Sequence, residues 1–143
     1  MYVSSSRLVP ANALPWLIPQ ILLTAQSEAA IVSPWIENVP LKLPPGFGST
    51  LSDLLANLEK RLSITLVLRE QDDRARTVLQ QLQKIRVETR STLHAKAIVT
   101  ERLLLITTAN LLPTSLYRNE EAAQLSGNPY PSVAEALKAI ATR

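Results

Sequence analysis

The sequence contains no cysteine. That excludes a disulfide framework, a thiol nucleophile, a Cys-ligated zinc site and an iron–sulfur cluster, and it leaves the redox compartment open. There is one histidine, His94, so a His-rich zinc or copper site within one chain is excluded as well. A hydrolytic metal would have to rest on carboxylates and water. Long apolar runs are also missing. Pro10, Pro15 and Pro19, with Asn12 and Gln20, interrupt the one candidate between Leu8 and Leu23, which therefore offers no membrane span and, with only Arg7 ahead of it, makes a poor secretory leader. A cytoplasmic protein is expected. Internal repeats, low-complexity tracts and linkers are absent from the chain.

What is present is a chain of 143 residues, 46% hydrophobic and 19% charged, the composition of one globular domain. The expectation is a single domain over 1–143, with 1–14 as a less ordered N-terminal arm. Fifteen Lys and Arg against twelve Asp and Glu give a net charge of +3 and a pI near 9.5. That balance permits a phosphate-bearing partner without demanding one.

Leu14, Leu17, Ile18, Ile21, Leu22 and Ala25 recur at helical spacing and predict an amphipathic helix starting at Pro15 or at Pro19. Ala29 to Val32 is a short apolar run closed by Ser33 and Pro34, as in a buried parallel strand, and 34–48 reads as a long loop of the kind that is often functional. Ser49 or Thr50 can cap a second helix with the apolar face Leu51, Leu54, Leu55, Leu58 and Leu62, and Ile64 to Leu68 returns as a strand, completing a βαβ unit. Ala75, Val78, Leu79 and Leu82 mark a third helix and Ile85 to Val87 a strand. Leu93 to Val99 and Leu103 to Thr107 flank Glu101 and Arg102 like a hairpin. Glu121 to Leu125 is the last predicted strand, and Val133, Ala136, Leu137 and Ile140 stripe the closing helix. The fold class is α/β, a mixed central sheet with helices on both faces.

In an extended strand, residues two apart share a face, so His94 and Lys96 should project side by side. A cation beside an imidazole opposes its protonation and favours the nucleophilic ring, and a lysine is a good partner for a phosphate oxygen. Downstream, Thr108 and Asn110 supply a hydroxyl and an amide at a strand end, the usual place for a site in an α/β sheet. Glu121 supplies a carboxylate able to orient the imidazole. A lone His on an apolar strand reads as a structural residue, and it is the conjunction of these groups that points to chemistry.

The run His94-Ala95-Lys96, four residues, Glu101, then Thr107-Thr108-Ala109-Asn110 resembles the HKD signature of the phospholipase D superfamily, whose pattern is His-x-Lys, four residues, Asp, then Gly-Ser and a nearby Asn. Ile31 to Ile36 is similar to that family's first strand and loop, Leu62 to Leu68 to its second strand, and Asn119-Glu120-Glu121 to its Asn-x-Glu element. The resemblance covers the chain from about Ser27 onward. Glu101 stands where the family has Asp, Thr107 where it has Gly and Thr108 where it has Ser, with one residue fewer between the acid and that pair. A two-residue turn at Glu101 and Arg102 would pair Lys96 with Thr107 and turn Thr108 and Asn110 away from His94, whereas a longer loop or a bulge would restore a common face.

The resemblance implies a phospholipase D-like fold with one HKD motif per chain and a homodimer that brings two copies of His94 to one phosphate. It implies a metal-independent phosphodiesterase without cofactor, most simply an endonuclease on DNA. One His94 forms a phosphohistidine and the other acts as acid and then base. Lys96 and Asn110 with the Thr108 hydroxyl would hold the nonbridging oxygens, and Glu121 would orient the ring. Glu101 is expected to be structural at the turn, paired with Arg102 or Arg118. Arg90, in a run of basic residues that includes Arg69 and Arg74, and Trp35, in the loop after the first strand, are candidate substrate contacts. Three alternatives stay open. One is a nucleic-acid-binding module of the same fold without turnover. Another is a phospholipid-processing phosphodiesterase whose apolar entrance is built from Val39, Leu41, Leu43 and Phe47. The third is a subunit of a larger DNA-processing complex docked through the N-terminal segment.

Overall fold

Residues 6–141 are described by a computed structural model of the chain. The first helix, α1 (Leu14–Thr24), carries Pro15 in its first turn and Pro19 in its interior. An interior proline removes the N–H that would bond four residues back, here to the Pro15 carbonyl. That carbonyl instead accepts from the Lys42 N–H at 3.0 Å. The helix keeps its length because the long loop caps its defect.

Strand β2 (Glu28–Val32) follows, and after the loop comes α2 (Leu51–Leu58). Thr50 caps it reciprocally with Asp53, each side chain bonding the other's backbone N–H. Asp53 also accepts from the Ser49 N–H, and these bonds, with Ser49 first, hold its carboxyl below the usual range. Next come β3 (Ser63–Leu68), α3 (Asp73–Leu79) and β4 (Arg86–Thr89), the three strands β2, β3 and β4 running parallel. The hairpin β5 (Ala97–Thr100) and β6 (Leu103–Thr107), the short α4 (Pro113–Tyr117), β7 (Ala123–Gly127) and α5 (Val133–Ala141) complete the order. The chain's first described strand, β1 (Arg7–Val9), lies antiparallel to β7, and Ala11–Ala13 form a 3₁₀ turn. Of the predicted arm 1–14, residues 1–5 lie outside the described residues.

The sheet has seven strands in the order β1-β7-β6-β5-β2-β3-β4 and is mixed, as expected. Ile31, Leu66, Ile98 and Leu105 share one face and bury against α1 and α2, while Ala30, Val32, Val67 and Val99 share the other and bury against Val133 and Ala136 of α5. Helices therefore cover both faces.

Two expectations are corrected. Leu93 to Lys96 is not part of β5, because its neighbour β2 gives way to Ser33 and Pro34, and a proline has no N–H to extend a ladder. The loop residues Val39 and Leu41 are buried in the core, which removes them from the expected apolar entrance, while Leu43, packed against the core, and Phe47 are half-buried. Smaller shifts affect the last predicted strand, which begins at Ala123 so that Glu121 precedes it, and the third helix, which ends before Leu82.

Candidate active site

The carboxyl ends of the parallel strands β2, β3 and β4, the start of β5 and the end of β6 meet at one end of the sheet. Open α/β sheets bind ligands at such carboxyl ends. His94 lies there, exposed, and among the described residues its imidazole makes no hydrogen bond. Its backbone is fixed from the end of β3: Arg69 donates from both Nε, at 3.0 Å, and Nη2 to the Leu93 carbonyl. The Arg69 guanidinium also sits 5.6 Å from the centre of the Trp35 ring, with Arg74 at 5.9 Å. Trp35 thus already serves two arginines as a platform.

Asn110 ties this arrangement to β2. Its Oδ1 accepts from the Trp35 N–H at 3.2 Å and lies 3.5 Å from Ser33 Oγ. Ser33 Oγ in turn accepts from the Leu111 N–H at 3.1 Å and donates to the Trp35 carbonyl at 2.7 Å. The Asn110 amide nitrogen has no partner among the described residues. Ser33 and Arg69 are positioning residues that the motif does not contain. Their one sequence signal is place: each stands at the carboxyl end of an apolar strand.

The turn at Glu101 and Arg102 has two residues, and Lys96 pairs with Thr107, whose N–H donates to the Lys96 carbonyl at 3.0 Å. Lys96 and Thr107 share a face. Thr108 is engaged elsewhere: its hydroxyl donates to Glu121 Oε1 at 2.6 Å and accepts from the Ala122 N–H at 2.9 Å. Glu121 receives Thr108 and, at 3.4 Å, the Asn119 amide. The expected bond from Glu121 to the imidazole is not formed within the chain. The Lys96 ammonium donates to the His94 carbonyl at 3.1 Å, which keeps the cation beside the histidine by a backbone contact. The expected pairing of Glu101 with Arg102 or Arg118 is also corrected. Glu101 reaches back to the start of β2 and accepts from the N–H groups of Gln26, Ser27 and Glu28 and from the Ser27 hydroxyl. Burial pushes its carboxyl up, but the N–H groups of Glu28, Glu101 itself and Ser27, with the Ser27 hydroxyl, outweigh it and hold it at about 2.

A cavity of about 200 Å³ lies beside His94, lined by Arg90, Thr92, Leu93, Ala95 and Ile140. Arg90 pairs with Glu88 at 3.2 Å, and its Nε is buried without a partner. Among the described residues no three His, Asp or Glu side chains come together as a metal centre would need. The groups at this end of the sheet can attack phosphorus, hold anionic oxygens and donate hydrogen bonds.

The same architecture occurs in a phospholipase D family member, Nuc from Salmonella typhimurium, with a TM-score of 0.63, 16% identity, and coverage of 93% of this chain and 87% of that one. The chain has a phospholipase D-like fold. NucT from Helicobacter pylori shares it at a TM-score of 0.65 and 10% identity, covering 94% and 90% of the two chains. Phosphatidylserine synthase from Haemophilus influenzae Rd KW20 shares it at 0.62 and 12%, covering 95% of this chain and 35% of that one. No protein-family model and no curated protein matches the sequence. In this phospholipase D-like fold the run from His94 to Asn110 spans the hairpin whose open end adjoins the carboxyl ends of the parallel strands. No described helix is long and apolar enough to cross a membrane.

Proposed function

We propose that the protein is a metal-independent phosphodiesterase that hydrolyses nucleic acid, DNA in the first instance, at a site built by two copies of the chain. The observation that carries this reading is the exposed, unengaged imidazole of His94 at the carboxyl end of the sheet, its backbone held by Arg69 through the Leu93 carbonyl and by the Lys96 ammonium through its own carbonyl. In the mechanism a nitrogen of His94 bonds to phosphorus as the phosphorus–oxygen bond to the leaving group breaks. His94 of the partner subunit donates a proton to that oxygen. It then takes a proton from water as the water oxygen displaces the phosphohistidine nitrogen. One chain holds one imidazole, so the acid requires the second copy. Asn110's free amide and the Lys96 ammonium, swung from the His94 carbonyl, would stabilise the developing charge. The bare part of the α5 face suits such pairing: Ile106 and Leu8 flank Gln124 there and remain 50% and 83% exposed. The burial of Val39 and Leu41 favours nucleic acid over lipid.

The test is cleavage of radiolabelled plasmid DNA in excess EDTA by the wild type and His94→Asn, with quenching in alkaline detergent, where a phosphohistidine survives, to trap the protein joined to the labelled strand. The wild type should cut and become labelled, and His94→Asn should lose at least about 10³-fold of the rate. A monomer in light scattering at assay concentration refutes the shared site.

A second reading is a binding module without turnover. It is favoured by the Thr108 hydroxyl and Lys96 ammonium being satisfied inside the chain. A chain of the same fold, TrmBL2, is an archaeal chromatin protein with its own mode of DNA binding, at a TM-score of 0.57 and 11% identity over 94% of this chain and 48% of that one. This reading predicts salt-dependent DNA binding and no cleavage.

A further inference from the structure

A second groove, of about 520 Å³, opens between the segment after β2 and the short helix α4, lined among others by Glu37, Arg74, Pro113, Thr114, Tyr117 and Arg118. That volume falls in the range of about 300–1,000 Å³ suited to a small ligand or one unit of a polymer. The groove continues from the candidate active site. Trp35 bonds Asn110, Ile36 bridges Leu111, and the Glu37 N–H donates to the Leu111 carbonyl at 3.0 Å, so one backbone track leads from one to the other. Arg74 belongs to both, lying along the groove and over the Trp35 ring.

The lining combines two cations and one carboxylate, that of Glu37, with a fixed aromatic ring. Arg118 has no ion-pair partner among the described residues, whereas Arg74 is shared with Asp72 at 3.1 Å. Tyr117 is 45% exposed, yet its hydroxyl donates to the Pro40 carbonyl at 2.5 Å, so the ring is anchored at both ends while part of it stays open. Burial pushes its phenol up, keeping the hydroxyl protonated for that bond. An anchored ring next to an uncompensated guanidinium matches a base with its phosphate. The paired bases of a duplex are stacked on one another and do not present their faces to a ring.

We infer that this groove is a one-nucleotide subsite for an unpaired strand, with the base stacked on Tyr117 and its phosphate on Arg118 and Arg74. The inference rests on the nucleic-acid reading above and adds the form of the substrate: single-stranded, or opened beside the scissile bond.

The experiment, run throughout in a His94→Asn background so that no probe is cut, is an anisotropy titration of the full chain with fluorescein-labelled oligo-dT of twelve nucleotides and with a hairpin duplex, comparing the chain otherwise wild type with Tyr117→Ala, Tyr117→Phe and Arg118→Gln, each checked for its melting temperature. Tyr117→Ala should weaken the single strand by about 5- to 150-fold, the equivalent of one stacked base, and leave the duplex within about 2-fold. Tyr117→Phe should stay near the wild type. Arg118→Gln should reduce the slope of log affinity against log salt by about 0.7. Wild-type affinity in Tyr117→Ala, an equal loss in Tyr117→Phe, or a parallel loss on duplex overturns the subsite while leaving the phosphodiesterase reading standing. A wild type that binds neither probe overturns both.

Discussion

Replacing Glu101 by glutamine keeps the size of the side chain and one acceptor oxygen and removes the charge on which Gln26, Ser27 and Glu28 converge. In the folded chain the hydrogen bonds from Glu28, Glu101's own N–H and Ser27, working against burial, hold the carboxyl at about 2, down from 4.5. The interval corresponds to about 3 kcal/mol at the most, and solvent screening at this partly exposed turn reduces the expected contribution to about 1–2 kcal/mol. The sign follows from proton uptake. A depressed carboxyl binds fewer protons folded than unfolded, so its stabilisation is complete above about pH 5 and is lost as the pH falls from there through about 2. Urea denaturation of wild type and Glu101→Gln at pH 7, 5, 4 and 3 measures it. The variant should be less stable by about 1–2 kcal/mol at pH 7, and the gap should narrow steadily below pH 5. Asp53 and Asp72, whose carboxyls are also held low, weaken both proteins alike in acid and cancel in the difference. A gap that stays constant with pH, or no gap at pH 7, refutes the account of Glu101 as a charge seated on backbone donors.

The remaining predictions concern the site and its supports. Arg69→Ala should cost about 1.5–3 kcal/mol in urea denaturation through the lost charge-assisted bonds to the Leu93 carbonyl and should speed amide exchange over residues 91–96; Arg69→Lys should recover part of both, and unchanged exchange in Arg69→Ala would show that the loop is held otherwise. Gly48→Ala should lower the melting temperature more than Gly46→Ala. Both glycines have positive φ, 86° and 90°, but a Cβ at position 48 would come within 2.5 Å of the Asp53 side chain and one at 46 would meet nothing within 4 Å. Equal losses would mean that backbone conformation alone sets the cost. His94→Asn should abolish cleavage in EDTA without changing the melting temperature by more than about 2 °C, since the exposed imidazole bonds nothing in the chain.

The elements legible in the sequence are those encoded locally. The period of Leu51, Leu54, Leu55 and Leu58 behind Thr50, the apolar runs of β2 and β3, and the two residues between β5 and β6 needed only their neighbours to be read. The candidate site was legible as a set of residue types and not as an arrangement. Asn110 meets Ser33 across 77 residues, and Thr108 meets Glu121 across 13. A hydroxyl or amide does not declare in sequence which of several reachable partners it will choose. The motif suggested an extended segment at Leu93 to Lys96, but the end of β2 at Pro34 left that segment without a ladder on the β2 side, and on the β6 side only the Lys96 carbonyl is paired. Val39 and Leu41 sit in a loop by their Pro- and Gly-bearing surroundings and in the core by their packing, a conflict that tertiary structure alone resolves.

The position of β2 has a consequence for how the molecule comes into being. β2 lies between β3, which pairs with it in parallel, and β5, which pairs on its other side and is made only after α2, β3, α3 and β4. On the ribosome the first half of the chain therefore emerges with the apolar run Ala29 to Val32 open along one edge, an unprotected template for strand addition by another nascent chain. The same delay governs the site, because the tie between Ser33, Trp35 and Asn110 closes only after the β5–β6 hairpin has docked. Shielding of this edge during synthesis and arrival of the reactive end are one event, so a chain stalled before the hairpin exposes its stickiest strand and has no site.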